Sequence, residues 1–433
     1  MNAHRFFIGG DLVDPDGSEQ IEGLSPSDFS LVGTATLGSA TDADRAVAAA
    51  RKAFETWQHS TIEERLAVLH RMRDAFEKVT DRLAAHLIRE TGLTTMVAQG
   101  QSKMALSHFD AIFDILPNYA FSEKRGERIE LVKEPVGVVV AITSWNAPVS
   151  QMLCKAVPAI AAGCTVIVKP SELAPLCGMI LAEAMAEADI PPGVFNLLNG
   201  RGADCGQRLV EHPDVDMISM TGSVTGGGAI AAAAAKTIKR VHQELGGKSP
   251  NVILPDADLP DAVAKGVFVC MMNAGQTCAA PTRMIVPEDR FEEVAALAVE
   301  AAEKFVDGPP GEPGVTFGPL SNEAQFRRVN VILEEAIAEG QPLLTGGPGL
   351  PRHLNTGYYA RPTVFGPVDP QARIAQEEIF GPVLCILTYK DEADAIRIAN
   401  ATDFGLSAYI ESADPAAARR VAGKVRSGWV NIN

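Results

Sequence analysis

The sequence is poor in basic residues and contains no long apolar run. Lys and Arg number 38 against 54 Asp and Glu among 433 residues, so the formal net charge is −16. Nucleic acids and anionic membranes are bound through basic patches, and the acidic balance excludes both as expected partners. The longest apolar runs, such as Val136–Ile142, are too short to span a bilayer, and the N-terminal segment lacks the pattern of a signal peptide. These absences predict a cytoplasmic protein that acts on a small molecule or one that binds other proteins.

The sequence lacks the cysteine patterns that crosslink small domains. The seven cysteines are scattered, odd in number and without a CxxC pair. This pattern argues against a disulfide framework and a structural zinc site, and it agrees with a reducing compartment. We therefore expect no bound metal.

After a short β-like entry, helical patterns dominate about the first hundred residues. Apolar side chains recur at helical spacing through Asp42–Gln58. Ser60-Thr61-Ile62-Glu63 matches a capping box and predicts the start of a second helix, with Ser60 at the N-cap.

From Glu130 onward, short apolar runs alternate with helix-length segments. The predicted strands are Val136–Ile142, Cys164–Val168, Val194–Leu198, Val215–Met220 and Asn251–Leu254. The predicted helices are Val149–Ala161, Leu176–Ala188, Asp204–Glu211 and Thr225–Ala235. Such alternation indicates βαβ units and a parallel sheet, which binds ligands at the carboxyl ends of its strands.

A second α/β series is predicted from about Cys270. It comprises helices at Glu288–Phe305 and Glu392–Asn400, strands near Thr363–Phe365 and Pro382–Leu387, and a surface loop at Gly308–Gly318. Tyr119–Lys133, which is rich in alternating charge, reads as an exposed hairpin. It could pair with a neighbouring subunit or remain a plain surface hairpin.

Cys278 lies in the most informative loop, Asn273-Ala274-Gly275-Gln276-Thr277-Cys278-Ala279. Gly, Gln and Thr place this cysteine at an exposed turn, where a thiolate can reach substrate and backbone N–H groups can bind an oxyanion. The alternative is a small buried thiol, which is the usual role of a cysteine. The other six cysteines lie in apolar or plain helical contexts that favour that alternative.

Glu244 precedes two glycines just ahead of a predicted strand. Because glycine removes side-chain obstruction, this carboxylate could reach into a cleft as a general base. A solvated surface glutamate is the plainer interpretation of the same residue.

Polar residues also follow two of the predicted strands. Lys169-Pro170-Ser171-Glu172 puts a cation and a carboxylate where ribose hydroxyls could be held, although Ser171 could also be a helix N-cap. Met220-Thr221-Gly222-Ser223 opens a helix whose N–H groups suit a pyrophosphate. The strict GxGxxG fingerprint is absent, and Gly200-Arg201-Gly202 with Gly206 is only a loose match.

Together these residues resemble the aldehyde dehydrogenase superfamily along essentially the whole chain. The family's glutamate motif stands as Glu244–Pro250, its cysteine motif as Asn273–Cys278, its Trp–Asn pair as Trp145-Asn146, and its EIFGPV segment as Glu378–Val383. Lys169–Glu172 and Thr221–Ser223 match its cofactor loops.

The resemblance implies a role for each matching position. Cys278 would attack an aldehyde, Asn146 and the Cys278 N–H would stabilise the oxyanion, and Glu244 would activate the water that hydrolyses a thioester. NAD is the implied cofactor; Glu172 disfavours NADP, although some relatives with this glutamate use both. The implied cofactor contacts are Trp145, Lys169, Ser171, Glu172, Gly202, Gly206, Thr221, Gly222, Ser223, Gly227, Leu245, Glu378 and Phe380.

The implied fold is α/β, with a Rossmann-like parallel-sheet cofactor domain, an α/β catalytic domain and a protruding oligomerisation hairpin. The expected boundaries are 1–116 and 136–246 for NAD binding, 117–135 for the hairpin and 247–433 for catalysis. Family members carry a further segment after the strand that matches Val430–Asn433, so the C-terminal strand of the oligomerisation unit is expected to be missing. The complete family member would be a homodimer or homotetramer.

Two other classes of protein remain open. A cofactor-free cysteine esterase would use Cys278 and Glu244 but would not need Lys169, Glu172 or Glu378. An inactive scaffold on the same fold is favoured by the shortened end and disfavoured by the retained catalytic residues.

Overall fold

The computed structural model describes residues 2–433, which form two compact units. The first contains the residues up to 25 with 30–90 and 98–244, and the second contains 26–29, 91–97 and 245–433. Each unit has its own seven-stranded sheet. Between residues 2 and 433, no helix is long and apolar enough to cross a membrane.

The elements of the first unit alternate as the sequence predicts from Glu130 onward. Its strands are β1 (Asn2–Ala3), β2 (Phe6–Ile8), β3 (Asp11–Val13), β4 (Gln20–Leu24), β5 (Leu31–Thr36), β6 (Ser122–Lys124), β7 (Glu130–Val132), β8 (Val138–Ile142), β9 (Thr165–Lys169), β10 (Phe195–Leu197), β11 (Met217–Thr221) and β12 (Arg240–Glu244). Its helices are α1 (Ala40–Trp57), α2 (Ile62–Glu77), α3 (Thr80–Thr91), α4 (Thr95–Ile115), α5 (Pro148–Ala161), α6 (Pro175–Ala186), α7 (Gln207–Glu211) and α8 (Val224–Ala235).

The main sheet of this unit has the strand order β12-β11-β8-β9-β10-β2-β3. The first five strands are parallel, and β2 and β3 extend the sheet in antiparallel fashion. Strand β9 is buried at every position, as expected for a parallel strand covered on both faces.

The capping box of α2 lies one residue later than predicted. Thr61, not Ser60, is the N-cap, and its hydroxyl accepts the N–H of Glu64 while the Glu64 carboxylate accepts the N–H of Thr61. Ser60 instead donates its hydroxyl to the Trp57 carbonyl at the end of α1. Ser-x-x-Glu and Thr-x-x-Glu overlap here, so the sequence pattern alone could not select the register.

The segment 117–135 contains a two-stranded antiparallel hairpin. Strands β6 and β7 pair Ser122 with Val132 and Lys124 with Glu130. Both strands are exposed along their whole length. Ile129 and Val132 are 63% and 59% exposed, which is unusual for branched apolar side chains.

The second unit contains seven further strands. They are β13 (Pro250–Ile253), β14 (Arg283–Pro287), β15 (Leu343–Thr345), β16 (Thr363–Phe365), β17 (Val383–Tyr389), β18 (Ser407–Glu411) and β19 (Trp429–Ile432). Its helices are α9 (Leu259–Met271), α10 (Phe291–Glu303), α11 (Glu323–Ala338), α12 (Arg373–Gln376), α13 (Glu392–Asn400) and α14 (Pro415–Ala422).

The second α/β series begins earlier than the predicted start near Cys270. Its sheet has the order β15-β16-β17-β14-β13-β18-β19, and β13 lies inside it between β14 and β18. The strand predicted at Asn251–Leu254 therefore belongs to the second unit. An apolar strand looks the same in either sheet, so periodicity could not assign it.

Candidate active site

The carboxyl ends of four parallel strands meet at one edge of the first unit's sheet. Ile142 at the end of β8 pairs with Lys169 of β9 and with Met220 of β11. Thr221 pairs in turn with Glu244, the last residue of β12. The strand register alone therefore brings the predicted cofactor loops and the predicted base to one edge.

A cavity of about 490 Å³ opens at this edge. Nine of the predicted cofactor residues line it: Trp145, Lys169, Ser171, Glu172, Gly202, Gly206, Thr221, Gly222 and Ser223. Gly227 does not line it but is buried inside α8, and the neighbouring Gly226 lines the wall. Met220, the first residue of the predicted pyrophosphate turn, also lines it. The sequence did not single out the remaining lining residues: Ile142, Thr143, Ser144, Gln207, Val210, Ala229 and Ile230.

Lys169 and Glu172 form an ion pair on the cavity wall. The Lys169 Nζ lies 3.5 Å from the Glu172 Oε2, and the backbone N–H of Gly202 donates to the Glu172 Oε1 at 3.3 Å. Burial raises the pKa of Glu172, but the Lys169 charge and the hydrogen bonds outweigh it, so the pKa lies below its usual value. The carboxylate is therefore charged at neutral pH.

The two serines predicted as cofactor contacts have different local roles. The Ser223 hydroxyl caps α8 by accepting the N–H of Gly226 at 3.1 Å. Ser171 is not a helix N-cap, because its hydroxyl accepts the N–H of Leu173 and α6 begins later, with Ala174 at the N-cap. Pro175 occupies the first helical position and disfavours helical backbone at Ala174, which places the helix start there and not at Ser171.

Asn146 lies in the turn between β8 and α5 and is only 7% exposed. Its Oδ1 accepts hydrogen bonds from the Ser144 hydroxyl at 2.6 Å and from the Gln151 Nε2 at 3.1 Å. Its backbone carbonyl accepts the Gln101 Nε2 at 2.9 Å. The side chain is thus held by its oxygen, which directs its amide N–H₂ elsewhere.

Glu244 is accessible at the end of β12. Its side chain is 47% exposed, and its Oε1 lies 3.6 Å from the Nε2 of His242. Its backbone carbonyl accepts the N–H of Gly222 at 3.1 Å. This hydrogen bond fixes the Glu244 backbone against the glycine turn after β11. An exposed carboxylate on a fixed backbone can reach a bound water, as a general base must.

The Cys278 loop of the second unit depends on left-handed backbone. After α9, Asn273, Ala274 and Gly275 have φ values of 55°, 52° and 73°. A Cβ on Gly275 would lie 2.1 Å from the carbonyl oxygen of Gly381, so this position has no room for a side chain.

Gln276 fixes the same loop from inside. It is fully buried, its Nε2 donates to the Asn273 carbonyl at 3.0 Å and its Oε1 accepts the N–H of Ser321 at 2.9 Å. Cys278 follows and is half-buried, as expected for a thiol that must meet substrate. The other six cysteines form no disulfide: Cys154 is exposed, and the buried ones are Cys164, Cys177, Cys205, Cys270 and Cys385.

Within the second unit, Glu378 lies beside the glycines of the glutamate motif, and Phe380 follows it two residues later. The Glu378 Oε1 accepts the N–H of Gly247 at 3.1 Å, and burial raises the pKa of the Glu378 carboxyl although this bond opposes the shift. Phe380 has a φ of 58°, and its carbonyl accepts the Gln325 Nε2 at 2.7 Å. Leu245 is half-buried at the start of the same motif.

A separate group of titratable residues lies where α3 meets the start of α6. It consists of His86 and Glu90 on α3 and Cys177 on α6. The Glu90 carboxylate accepts the N–H groups of Leu176 and Cys177 and the Cys177 thiol, whose Sγ is 2.6 Å from Oε2. Two ligands of one tetrahedral zinc would lie about 3.5 Å apart, so the geometry is that of a helix cap. Burial raises the pKa of Glu90 to about 7.

Comparison with known proteins agrees with this arrangement. The model of the "Aldehyde dehydrogenase family" matches residues 12–433. The 3-succinoylsemialdehyde-pyridine dehydrogenase of a Pseudomonas species is 44% identical over 99% of this chain and 90% of its own length.

Solved structures give the same result. A mutant of aldehyde dehydrogenase C from Pseudomonas syringae, in complex with NAD+ and octanal, is 45% identical with a TM-score of 0.98, over 100% of this chain and 89% of its own. A Mycobacterium tuberculosis aldehyde dehydrogenase complexed with NAD+ is 36% identical with a TM-score of 0.96, over 100% of this chain and 90% of its own. The family resemblance and the α/β fold class predicted from the sequence are thereby confirmed, and the chain belongs to the aldehyde dehydrogenase family.

Proposed function

We propose that this enzyme oxidises an aldehyde to a carboxylic acid through a thiohemiacetal and a thioester on Cys278. As a family member the chain is an NAD-dependent aldehyde dehydrogenase, and the proposal concerns which residues carry the reaction. The observation that carries it is the cavity at the carboxyl edge of the first sheet, which nine predicted cofactor residues line.

The proposed cofactor site uses the charges and N–H groups of that edge. Lys169 and Glu172 would hold the adenosine ribose. The buried ammonium group can donate a hydrogen bond to a ribose hydroxyl, and the charged carboxylate can accept one from it. The N-terminus of α8, capped by Ser223, supports a pyrophosphate site, since its N–H groups carry partial positive charge. Glu378 would bind the nicotinamide ribose, with Phe380 against the nicotinamide.

The ionised carboxylate of Glu172 also bears on the choice of cofactor. A 2′-phosphate would place a second negative charge beside a carboxylate that is ionised at neutral pH. The proposal therefore gives NAD preference over NADP.

In the first half of the reaction, the thiolate sulfur of Cys278 bonds to the aldehyde carbon and the carbonyl π electrons move to oxygen. The Asn146 amide N–H and the Cys278 backbone N–H would donate to this oxyanion, and preorganised donors of this kind lower the barrier by about 3–4 kcal/mol each. Bound NAD supplies a hydride acceptor. Loss of hydride from the former aldehyde carbon restores the carbonyl and leaves a thioester.

In the second half, Glu244 removes a proton from a water that attacks the thioester carbon. The carbon–sulfur bond breaks, the carboxylic acid leaves and Cys278 returns as a thiolate. The exposed side chain of Glu244 at a fixed strand end supports this role, because a general base must contact the water molecule that attacks the thioester.

The same proposal divides the chain by role. Residues 1–116 and 136–246 would bind NAD and 247–433 would carry the catalytic thiol. The hairpin at 117–135 would join subunits into a homodimer or homotetramer, which is supported by its exposed apolar side chains. A cytoplasmic location is supported by the reduced state of the six cysteines other than Cys278.

Reduction of the cofactor, followed by absorbance, tests the function directly. Wild type, Cys278→Ala and the control Cys154→Ala would each be given NAD with aldehydes of graded length. We expect aldehyde-dependent NAD reduction that is lost only in Cys278→Ala. Ester hydrolysis without NAD reduction in the wild type would instead support a cysteine esterase, and inactivity in both assays would support an inactive scaffold.

A further inference from the structure

The side-chain amide of Asn146 has two chemically different ends, and only one suits the proposed reaction. Its nitrogen donates hydrogen bonds and its oxygen accepts them. An oxyanion needs a donor, and the Oδ1 end would repel it. Whatever fixes the orientation of this amide therefore determines whether Asn146 can act.

Gln151, on the first turn of α5, has its own amide orientation fixed by the main chain. The backbone N–H of Ser144 donates to the Gln151 Oε1 at 2.8 Å. A backbone N–H can only donate, so the atom that it meets must be the oxygen. The Nε2 of Gln151 is consequently the opposite end.

That nitrogen lies 3.1 Å from the Oδ1 of Asn146. Because Nε2 can only donate, it requires an acceptor, and the reversed orientation of Asn146 would place two N–H₂ groups against each other. The Ser144 N–H therefore fixes the orientation of the Gln151 amide, and Gln151 in turn fixes that of the Asn146 amide.

The Ser144 hydroxyl does not settle the orientation by itself. Its Oγ lies 2.6 Å from the Asn146 Oδ1 and 2.9 Å from the Gln151 Oε1, but it carries one hydrogen. It could donate to Gln151 and accept from a reversed Asn146 equally well. Gln151 is the group that distinguishes the two states.

We infer that Gln151 is a positioning residue, which orients Asn146 so that its amide N–H₂ end, and not its Oδ1 end, is the one that can donate to the oxyanion of the reaction. This inference rests on the proposed function, since it gives Asn146 the role of oxyanion donor. Gln151 itself is half-buried and acts through Asn146 alone.

Two substitutions separate orientation from packing. Gln151→Glu keeps the shape and the acceptor for Ser144 but replaces the donor with a second acceptor, which favours the reversed Asn146. Gln151→Met keeps the volume and removes both hydrogen bonds, so either orientation remains possible. Steady-state kinetics of NAD reduction should show kcat reduced on the order of 100-fold in Gln151→Glu, as for loss of an oxyanion donor, and only a few-fold in Gln151→Met, with KM for NAD little changed.

The pH profile gives a readout that packing would not move. When the introduced carboxyl group of Gln151→Glu is protonated, it can donate to Asn146 again. The kcat of this variant relative to wild type should therefore rise as pH falls, whereas that of Gln151→Met should stay level. A Gln151→Met variant as impaired as Gln151→Glu, or a ratio independent of pH, would overturn the inference.

A double-mutant cycle with Asn146→Ala distinguishes failure of the inference from failure of the proposed function. If Gln151 acts through Asn146, adding Gln151→Glu to Asn146→Ala should reduce kcat no further. Full activity of Asn146→Ala would refute the oxyanion role itself. Impaired Asn146→Ala with unimpaired Gln151→Glu would refute only the role of Gln151.

Discussion

Lys169 and Glu172 lie 3.5 Å apart, joining the last residue of one buried strand to the loop that follows it. The lysine is only 2% exposed, so its charge is balanced mainly by this partner and the Pro170 carbonyl. The Glu172 Oε1, on its other side, accepts the N–H of Gly202. The pair thus connects two of the loops that line the cavity.

Neutralising this carboxylate should relax the choice of cofactor. In Glu172→Gln, the repulsion of a 2′-phosphate is removed and Lys169 is left to attract it. We expect the ratio of kcat/KM for NAD to that for NADP to fall about tenfold, which corresponds to about 1.4 kcal/mol. Glu55→Gln, an exposed site on α1, is the matched control and should leave the ratio unchanged. An unaltered ratio in Glu172→Gln would remove Glu172 from the ribose site.

Replacing Glu244 should stall the enzyme after hydride transfer. Glu244→Gln cannot take a proton from water, so the thioester should accumulate while one equivalent of NAD is reduced rapidly. Steady-state turnover should fall on the order of 10²- to 10⁴-fold, the usual contribution of a general base. Intact-mass spectrometry would detect the acyl adduct on Cys278. Arg240→Gln, on the same exposed face of β12, should turn over normally; a Glu244→Gln enzyme without adduct would contradict the role.

The nucleophile loop should not tolerate a side chain on Gly275. In Gly275→Ala, the new Cβ would lie 2.1 Å from the Gly381 carbonyl at a φ of 73°, and we expect a loss of stability of about 3 kcal/mol or more together with lower kcat. Gly314→Ala is the matched control, because Gly314 has a φ of 84° but nothing within 4 Å. Gly314→Ala should lose only the stability that backbone strain removes, about 1–2 kcal/mol. Equal thermal shifts in the two variants would show that packing on Gly381 is unimportant.

Glu90 should make stability depend on pH. Burial raises its pKa from 4.5 to about 7, so between these values the folded chain holds a proton that the unfolded chain has lost. Raising the pH through this window therefore lowers the free energy of unfolding. Against Glu90→Gln, which cannot titrate, the wild type should lose about 2 kcal/mol of relative stability between about pH 5 and pH 7.5.

Urea unfolding of both proteins at each pH would measure this difference. Burial lowers the pKa of His86 to about 4, and its titration gives the opposite slope, with stability lost as pH falls from 6.5. Because the His86 Nε2 lies 3.7 Å from the Glu90 Oε2, both proteins should carry His86→Gln in this comparison, so that Glu90 alone accounts for the difference in slope. A difference that stays constant with pH would mean that Glu90 is ionised throughout.

Sequence patterns predicted the elements best where local periodicity and burial agree. The bounds of β16 and α13 are those predicted, and the βαβ alternation from β8 onward is present. Helix α11 was not predicted, although Val329 and Leu333 repeat at helical spacing, so the signal was available. Strand β14 begins with Arg283, a fully buried guanidinium that donates to three backbone carbonyls, and a charge at that position conceals a buried strand from any apolar pattern.

The residues of the candidate site also fall into those that the sequence predicted and those that it could not. Motif residues were predicted because their chemistry is visible in the residue type, as at Lys169 and Glu172. Ala229 and Ile230 line the cavity only because α8 turns that face toward it, and such positions carry no chemical signal. Gln151 was missed for a related reason: its importance lies in which end of its amide meets which atom, and only three-dimensional contacts carry that information.

Strand β12 sets a rule for changes in chain length. Arg240, His242 and Glu244 are exposed while Val241 and Gln243 are half-buried, so its two faces alternate along the strand. Inserting or deleting one residue inside β12 would exchange the faces of the residues that follow and present a different side chain where Glu244 stands. A change of two residues would restore the face but shift the carboxylate along the sheet by about 7 Å. Neither odd nor even changes inside the strand are neutral, so the length of β12 should be as restricted as the identity of the base.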